Sequence, residues 1–380
     1  MKLTARIAAA AVVLSCAGLV LARSRPEGAA LDQAKTTQPS SGKPKVDLVF
    51  AVDTTGSMGG LLQGAKQKVW EIARKAQEGQ PAPELRVGLV AYRDKGDAYV
   101  TQVLDLTSDM DKVYARLSEL TAGGGGDGPE HVLKGLHDAV DEVHWSQDAN
   151  AVKLVYLVGD APPHFDYDDG IKLDSVLGDA KQKGISFSAI RCGGDTDTLR
   201  VWTQIAQQSN GEVATIEQTG GVVAVRTPFD DELARLNAEL ARTEIHWGSA
   251  SEREAADKDV ARNLAAAPAA QADRAAFYAA NAAARTAPTK QDLAAGGKSV
   301  KEIDAALLPP EMQAMSAGDR EKFVEQKQKE REAILAKIRE TQAKRDGYLK
   351  TAAPKPAATA FDSKVYDSLK KAGAAKGMAF

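Results

Sequence analysis

The sequence has few cysteines, few aromatic residues and no large excess of charge of either sign. Each of these features limits the kind of protein that the sequence can encode. Its 380 residues include two cysteines, Cys16 and Cys192, so a framework of several disulfides is excluded. Aromatic residues make up 5% of the chain and all four tryptophans precede residue 250, which predicts an aromatic core in the first two-thirds only. With 49 Lys and Arg against 52 Asp and Glu, the formal net charge of −3 gives no electrostatic reason to bind nucleic acid or an anionic membrane.

The longest apolar run lies at the N-terminus, over residues 7–21. Two basic residues precede it, small residues up to Ala22 end it, and it is too short to span a membrane comfortably. We interpret residues 1–22 as a signal peptide and residues 23–44 as a flexible linker, which predicts export to the periplasm or out of the cell. Two alternatives stay open, namely an uncleaved membrane anchor and a lipoprotein with its lipid on Cys16. A membrane contact is expected only in those two cases.

Between residues 45 and 245, apolar runs typical of strands alternate with segments of helical spacing. The run Val46–Val52 is nearly all apolar, and apolar residues recur at helical spacing from Leu61 to Ala76. Such strands, each followed by a helix, predict an α/β fold with a doubly wound, mainly parallel sheet and helices on both faces. The segment 99–106 alternates apolar and polar residues and is expected at an edge of the sheet. Ligands of such sheets bind beyond the carboxyl ends of the strands.

Carboxylate and hydroxyl side chains occur where the predicted strands end. Asp53, Thr55 and Ser57 alternate after the first strand, so their side chains point the same way if the loop is extended. Asp160 follows a later strand, and a run of glycines leads to Asp127. A set of oxygen ligands suits Mg²⁺, Mn²⁺ or Ca²⁺ better than zinc or copper. The alternatives are a helix-capping role for the first three residues and a turn-forming role for Asp127.

Four segments together resemble one known family. In this order, VDLVFAVDTTGSMGG, YRDKGD, GGGGDGPE and LVGDAPPH look like a von Willebrand factor type A (VWA) domain with a metal-ion-dependent adhesion site (MIDAS), over residues 45–245. The resemblance implies four metal ligands: Asp53, Thr55, Ser57 and Asp160. Many members have a threonine in the middle loop, where this sequence has Asp127. A third carboxylate would leave less positive charge on a divalent ion and weaken its attraction for an acidic ligand. The metal then has a more structural role, or the partner supplies a neutral ligand.

Other polar residues near these loops have simpler interpretations. Asp94 and Asp97 are expected in a solvated loop or in a structural ion pair. His164 either supports the metal ligands or faces a partner. Cys192, at the end of a strand, is expected to be an inert buried thiol.

Catalysis is not expected. No serine lies in a nucleophile elbow, and the Gly-rich loop lacks the Gly-Lys-Ser/Thr ending of a phosphate-binding loop. A metal-dependent hydrolase would need a general base, for which Glu130, His131 and His164 are the available residues. We therefore predict an exported, adhesion-like module that binds another protein through or near a divalent cation. The alternatives are a cell-envelope scaffold with a structural metal and, less favoured, a metal-dependent hydrolase.

The last third of the chain is rich in alanine and charged residues. We divide it into an Ala-rich helical segment (246–315), a long charged helix (316–350) and a linker with a short terminal helix (351–380). Lys327 and Arg331 interrupt the thin apolar seam of the long helix, which argues against a long coiled coil. This tail looks like that of certain bacterial secreted VWA proteins, and it either packs on the domain or extends from it as a stalk.

Export can be tested on the native protein. The mature chain is expected to begin near Arg23, because Ala22 closes an apolar run with a basic start. Mass spectrometry of the protein from its native source measures the N-terminus directly. An intact Met1 would contradict cleavage, and a lipid adduct on Cys16 would replace export in free form by membrane anchoring.

Overall fold

A six-stranded sheet forms the centre of the computed structural model, in the order β3-β2-β1-β4-β5-β6. All neighbouring strands are parallel except β3, which pairs antiparallel with β2 at one edge. The mainly parallel sheet and the edge position of the segment after residue 99 are therefore confirmed. The strands are β1 (Lys45–Asp53), β2 (Glu84–Tyr92), β3 (Thr101–Thr107), β4 (Val152–Gly159), β5 (Ser186–Cys192) and β6 (Val213–Ile216).

The structure describes residues 42–126, 128–221, 225–284, 291–352 and 360–380. The predicted signal peptide, most of the predicted linker that follows it, and Asp127 lie outside these residues. No helix within the described ranges is long and apolar enough to cross a membrane. Residues 42–380 form one compact unit.

Helices cover both faces of the sheet. On one side, α1, α2 and α11 contact the sheet, and α6, α8 and α10 extend the same hydrophobic cluster through contacts with α1 and one another; α3, α4 and α5 cover the other side. The helices are α1 (Gly59–Gln77), α2 (Met110–Glu119), α3 (Val132–Asp141), α4 (Leu173–Lys183), α5 (Thr196–Gln208), α6 (Asp230–Ala241), α7 (Ala250–Leu264), α8 (Pro268–Ala284), α9 (Pro310–Gln313), α10 (Ala317–Ala352) and α11 (Phe361–Ala374).

The C-terminal helices pack on the sheet domain and complete its core. Trp70 of α1 lies edge-on to Phe277 of α8, with ring centroids 5.2 Å apart. The Tyr156 hydroxyl of β4 donates a 2.8 Å hydrogen bond to the carbonyl of Val365 in α11. The prediction of an aromatic core confined to the first two-thirds is thus wrong, because Phe277 and Phe361 are both buried in it. Of the two arrangements left open for the tail, the structure shows the packed one.

Arginines on α10 are buried and paired with carboxylates. Arg345 donates to Asp230 at 2.8 Å and to Asp273 at 2.6 Å, and Arg331 lies 3.3 Å from Asp292. The sequence pattern treats Arg331 as an interruption of the apolar seam, whereas in the fold it is part of the buried face. Ion pairs replace apolar packing along this helix, which explains why its hydrophobic periodicity is weak.

A fully buried ion pair joins α2 to α8. Arg274 and Asp111 are both inaccessible to solvent, and Nε and Nη2 of the arginine donate to the two carboxylate oxygens at 2.6 and 2.8 Å. Glu244 accepts a further bond from Nη2 at 2.9 Å, and Asn237 accepts one from Nη1 at 2.7 Å. The guanidinium is therefore bonded on several sides within the interface, which fixes the position of α8 against the sheet domain.

Replacing Arg274 by methionine should destabilise the protein strongly. The expected loss is about 3–5 kcal/mol in free energy of unfolding, because the buried Asp111 carboxylate loses this cation. Denaturant titration followed by circular dichroism measures it. Arg262→Met is the matched control, because Arg262 pairs with Glu119 of the same helix α2 while both side chains are exposed. That exposed pair should cost no more than about 1 kcal/mol. Equal losses in the two variants would contradict a special role for the buried pair.

Candidate metal centre

Four of the predicted ligands, Asp53, Thr55, Ser57 and Asp160, lie at the carboxyl edge of the sheet, where β1 lies between β2 and β4. Asp53 is the last residue of β1, and Asp160 follows the end of β4, the parallel neighbour of β1. The strand that follows β1 in the chain, β2, lies on one side of β1, and β4 lies on its other side. The strand order therefore reverses direction between β1 and β4. Sheets of this kind bind ligands at such a position.

Asp53 is completely buried, and its two carboxylate oxygens differ in their surroundings. Oδ1 accepts hydrogen bonds from the Thr55 backbone N–H at 2.8 Å and from the Thr55 hydroxyl at 2.7 Å. Oδ2 has no hydrogen-bond partner among the described residues. Burial raises the pKa of Asp53 to about 7; the bonds from Thr55 oppose that rise and the Asp160 carboxylate adds to it.

Gln218, which follows β6, connects Asp160 to the loop after β1. Its side-chain nitrogen donates to Oδ2 of Asp160 and lies 3.4 Å from the carbonyl oxygen of Ser57. Ser57 itself is exposed, in a single 3-10 turn that precedes α1. Gln218 is not among the residues singled out from the sequence. It lies 58 residues from Asp160 and in no recognisable motif, so only the strand order brings the two together.

Glu130 is a second buried carboxylate beside this centre, only 4% exposed. Its Oε2 has no partner within the described part of the chain, and a hydrogen bond from Thr55 lowers its pKa. Burial, together with the nearby carboxylates of Asp53, Asp94 and Asp97, nevertheless raises the pKa of Glu130 to about 8. In the sequence Glu130 stands out only as one of three available general bases. The structure places it with the predicted metal ligands instead.

The Gly-rich loop is held in place by Asp97. Gly124 and Gly125 both have φ near +76°, a backbone conformation that glycine adopts without strain. The Gly125 N–H donates to both oxygens of Asp97, at 3.1 and 3.0 Å, and the Gly56 N–H donates to the Gly124 carbonyl at 3.3 Å. The loop is thereby tied both to the segment after β2 and to the segment after β1.

Of the two residues expected in a solvated loop or an ion pair, Asp94 is buried, whereas Asp97 is half-buried beside the exposed Lys95, Gly96 and Ala98. Asp94 is 8% exposed and accepts a hydrogen bond from the Tyr167 hydroxyl at 2.7 Å. His164 stacks on the Tyr167 ring with centroids 4.3 Å apart, and its backbone N–H donates to the Glu130 carbonyl at 3.0 Å. His164 therefore supports the loops that carry the ligands. Cys192 is buried, as expected, and burial raises the pKa of its thiol.

The donor set fits a hard cation. Two buried carboxylate oxygens, Oδ2 of Asp53 and Oε2 of Glu130, lack a hydrogen-bond donor within the described residues. Together with hydroxyl groups, such oxygens are the ligands that Mg²⁺, Mn²⁺ and Ca²⁺ prefer. No group of three His, Cys, Asp or Glu side chains that could hold a metal ion occurs within the described ranges. The predicted set has two carboxylates there, Asp53 and Asp160, because the third, Asp127, lies outside them.

The doubly wound sheet and the polar residues at its carboxyl edge define a ligand-binding α/β domain. Comparison with known protein families identifies the family of this domain. The family model "von Willebrand factor A domain" matches residues 47–218. The chain therefore carries a von Willebrand factor A domain.

Two similar proteins each match 37% of this chain. It is 30% identical over 155 residues to alpha-protein kinase vwkA of Dictyostelium discoideum, covering 37% of this chain and 24% of that protein. It is 34% identical over 139 residues to mouse von Willebrand factor A domain-containing protein 7, covering 37% of this chain and 14% of that protein. The chain thus spans a quarter or less of the length of these curated relatives.

Two solved structures show weaker likeness. The VWA domain of SpRpn10 has a TM-score of 0.34 at 16% identity, with 46% of this chain and 89% of that chain covered. The pilus adhesin SpaC from Lactobacillus rhamnosus GG has a TM-score of 0.35 at 17% identity, with 46% and 28% covered.

Substituting Gly124 tests the backbone geometry of the Gly-rich loop. A Cβ atom there would lie 2.2 Å from Oδ1 of Asp97, at a φ of +76°. Gly124→Ala should therefore lower the free energy of unfolding by at least about 1–2 kcal/mol, the cost of the left-handed backbone alone. Gly126→Ala is the control, because nothing lies within 4 Å of its Cβ position. Thermal unfolding compares them, and equal midpoints would show that the loop is not held in this conformation.

Proposed function

We propose that this protein is an interaction module that binds a partner protein through a divalent cation held at the carboxyl edge of its VWA domain. Asp53, Thr55, Ser57 and Asp160 would hold the ion, with Glu130 beside them and Asp127 as a further ligand. The main support is the fully buried Oδ2 of Asp53, which has no donor within the described residues. Burying such an oxygen is costly unless a cation compensates it.

The residues around the ion would orient the ligands. Thr55 holds Asp53 through Oδ1, which leaves Oδ2 for the ion, and Gln218 holds one oxygen of Asp160. The bound cation would supply positive charge and a coordination position for an oxygen ligand of the partner. Mg²⁺ is the favoured ion, with Mn²⁺ or Ca²⁺ as substitutes, because all proposed ligands are oxygen atoms.

We propose binding rather than catalysis. The two histidines near the centre already make structural contacts: His131 Nε2 lies 2.9 Å from Asp169, and His164 Nδ1 lies 2.8 Å from Asp166. Nucleic acid is not proposed as a partner, because the chain has no excess of positive charge. Export to the periplasm or the exterior is part of the proposal and depends on the N-terminal 22 residues.

Asp53→Asn should abolish Mg²⁺ binding, because it keeps the shape of the side chain but removes its charge. Isothermal titration calorimetry of the full chain measures the dissociation constant. Asp168→Asn is the matched control, since Asp168 is an exposed acid in the loop after β4. It should bind Mg²⁺ like the wild type. Unchanged Mg²⁺ binding in the Asp53 variant would contradict the proposed centre.

Partner binding separates an interaction module from a scaffold with a structural metal. Capture of exported proteins on the immobilised chain should require Mg²⁺ and be lost in EDTA. Capture that is equal with and without metal would favour the scaffold.

Asp127→Asn should bind Mg²⁺ less tightly and, at saturating metal, bind acetate more strongly, because the ion keeps more positive charge.

A further inference from the structure

A cavity of about 350 Å³ lies at the opposite edge of the sheet from the candidate metal centre. The amino ends of β4 and β5, the turn after α5 and the last turns of α11 surround it. A neighbouring cavity of about 510 Å³ shares Lys153, Lys181 and Gly184 with it. The smaller cavity falls within the range of roughly 300–1,000 Å³ that is usual for small-molecule sites.

The floor of the smaller cavity combines apolar and hydroxyl side chains. Val152, Leu154 and Ile185, each 2% exposed, form its apolar part beside the buried Ser188, Ser209 and Ser368, while Ala372 of α11 and Ala375 directly after that helix form one wall. Small-molecule sites are typically lined in this way, with a few polar groups that fix the orientation of the ligand.

Four lysines surround this floor: Lys153, Lys181, Lys371 and Lys376. One acidic residue, Glu212, lines the cavity and pairs with Lys371 at 2.5 Å. Lys153 donates to the carbonyl of Lys183 at 2.9 Å, and Lys376 donates to the carbonyl of Ala149 at 2.8 Å.

Three of these ammonium groups form no ion pair within the described residues, although the carboxylates of Asp47 and Asp148 interact electrostatically with Lys153. In the part of the chain that the structure describes, no carboxylate lies within ion-pair distance of Lys153, Lys181 or Lys376. A hydrogen bond to a carbonyl uses one of the three N–H groups of a lysine and leaves its charge in place. Burial lowers the pKa of Lys153; Asp47 raises it, and the like charge of Lys376 lowers it again.

Helix ends account for part of the positive charge. α4 and α11 end beside the cavity, and each helix C-terminus carries roughly −0.5 of an elementary charge, which together offset about one lysine. Four lysines against one glutamate still leave a surplus of positive charge around the opening. This surplus contrasts with the formal net charge of −3 for the whole chain.

We propose that this cavity binds a small amphiphilic anion, a molecule with an apolar body and one carboxylate or phosphate group. The apolar part of the floor would hold the body, and Lys153, Lys181 and Lys376 would bind the anionic group. The site is independent of the proposed metal centre, because the two lie at opposite edges of the sheet.

Calorimetry with decanoate as the probe tests this proposal on the full chain. Decanoate should bind at least about tenfold more tightly than acetate, which lacks the apolar body, and than decanol, which lacks the charge. Lys181→Met should weaken decanoate binding about tenfold, because the stem remains and one ammonium is removed. Lys337→Met, at an exposed position on α10, is the control and should bind like the wild type.

A second variant fills the cavity. Ala375 is exposed directly after the end of α11, so Ala375→Trp should leave the unfolding midpoint unchanged while it blocks decanoate. Asp53→Asn should bind decanoate like the wild type, which separates this site from the metal centre. Three results would each overturn the proposal. They are no binding of decanoate by the wild type, binding of decanol as tight as that of decanoate, and decanoate affinity that neither Lys181→Met nor Ala375→Trp changes.

Discussion

The burial of Asp53 at the end of β1 determines how the carboxyl edge of the sheet is built. Thr55 satisfies one oxygen of this carboxylate through its backbone and its hydroxyl, whereas the other oxygen has no donor within the described residues. The carboxylates of Asp160 and Glu130 lie close enough to interact with Asp53 electrostatically. Placing several carboxylates together in a buried position is unfavourable unless a cation joins them. The loops are accordingly restrained from outside the cluster: Asp97 holds the Gly-rich loop, and Gln218 holds Asp160. Metal affinity and domain stability are expected to be linked here, since an ion that binds the folded state stabilises it.

A second set of buried charges determines how the C-terminal helices lie on the domain. Arg274 and Arg345 each pair with more than one acidic residue, and these acids belong to segments outside the helix that carries the arginine. Apolar packing alone allows a helix to slide or rotate at moderate cost, whereas a buried guanidinium must meet its carboxylates at fixed positions. We interpret these pairs as the interactions that select one arrangement of α8 and α10.

The sheet domain could be predicted from the sequence because its signals are local. Continuous apolar runs that end in Asp53 and Asp160 predict both the strands and the edge where polar residues meet. Two parts could not be predicted. Gln218 reaches Asp160 only because β6 lies beside β5 and close to β4 in the strand order, which no local pattern contains. Arg331 resembles a solvent-facing residue within its helix, since its buried carboxylate partner belongs to another segment. Charges that are neutralised over a long sequence distance look like surface charges in a sequence.

The hydrogen bond from Tyr156 to the Val365 carbonyl has a consequence for how the chain folds during synthesis. It joins positions 209 residues apart, and α11 covers the part of β4 and β5 that the earlier helices leave open. The part of this side of the sheet formed by β4 and β5 therefore stays uncovered until Phe361 and the residues after it are available. Contacts between such distant positions slow folding, because a long loop must close before they contribute any free energy. Until then the exposed apolar side of the nascent sheet is a surface that chaperones would be expected to bind.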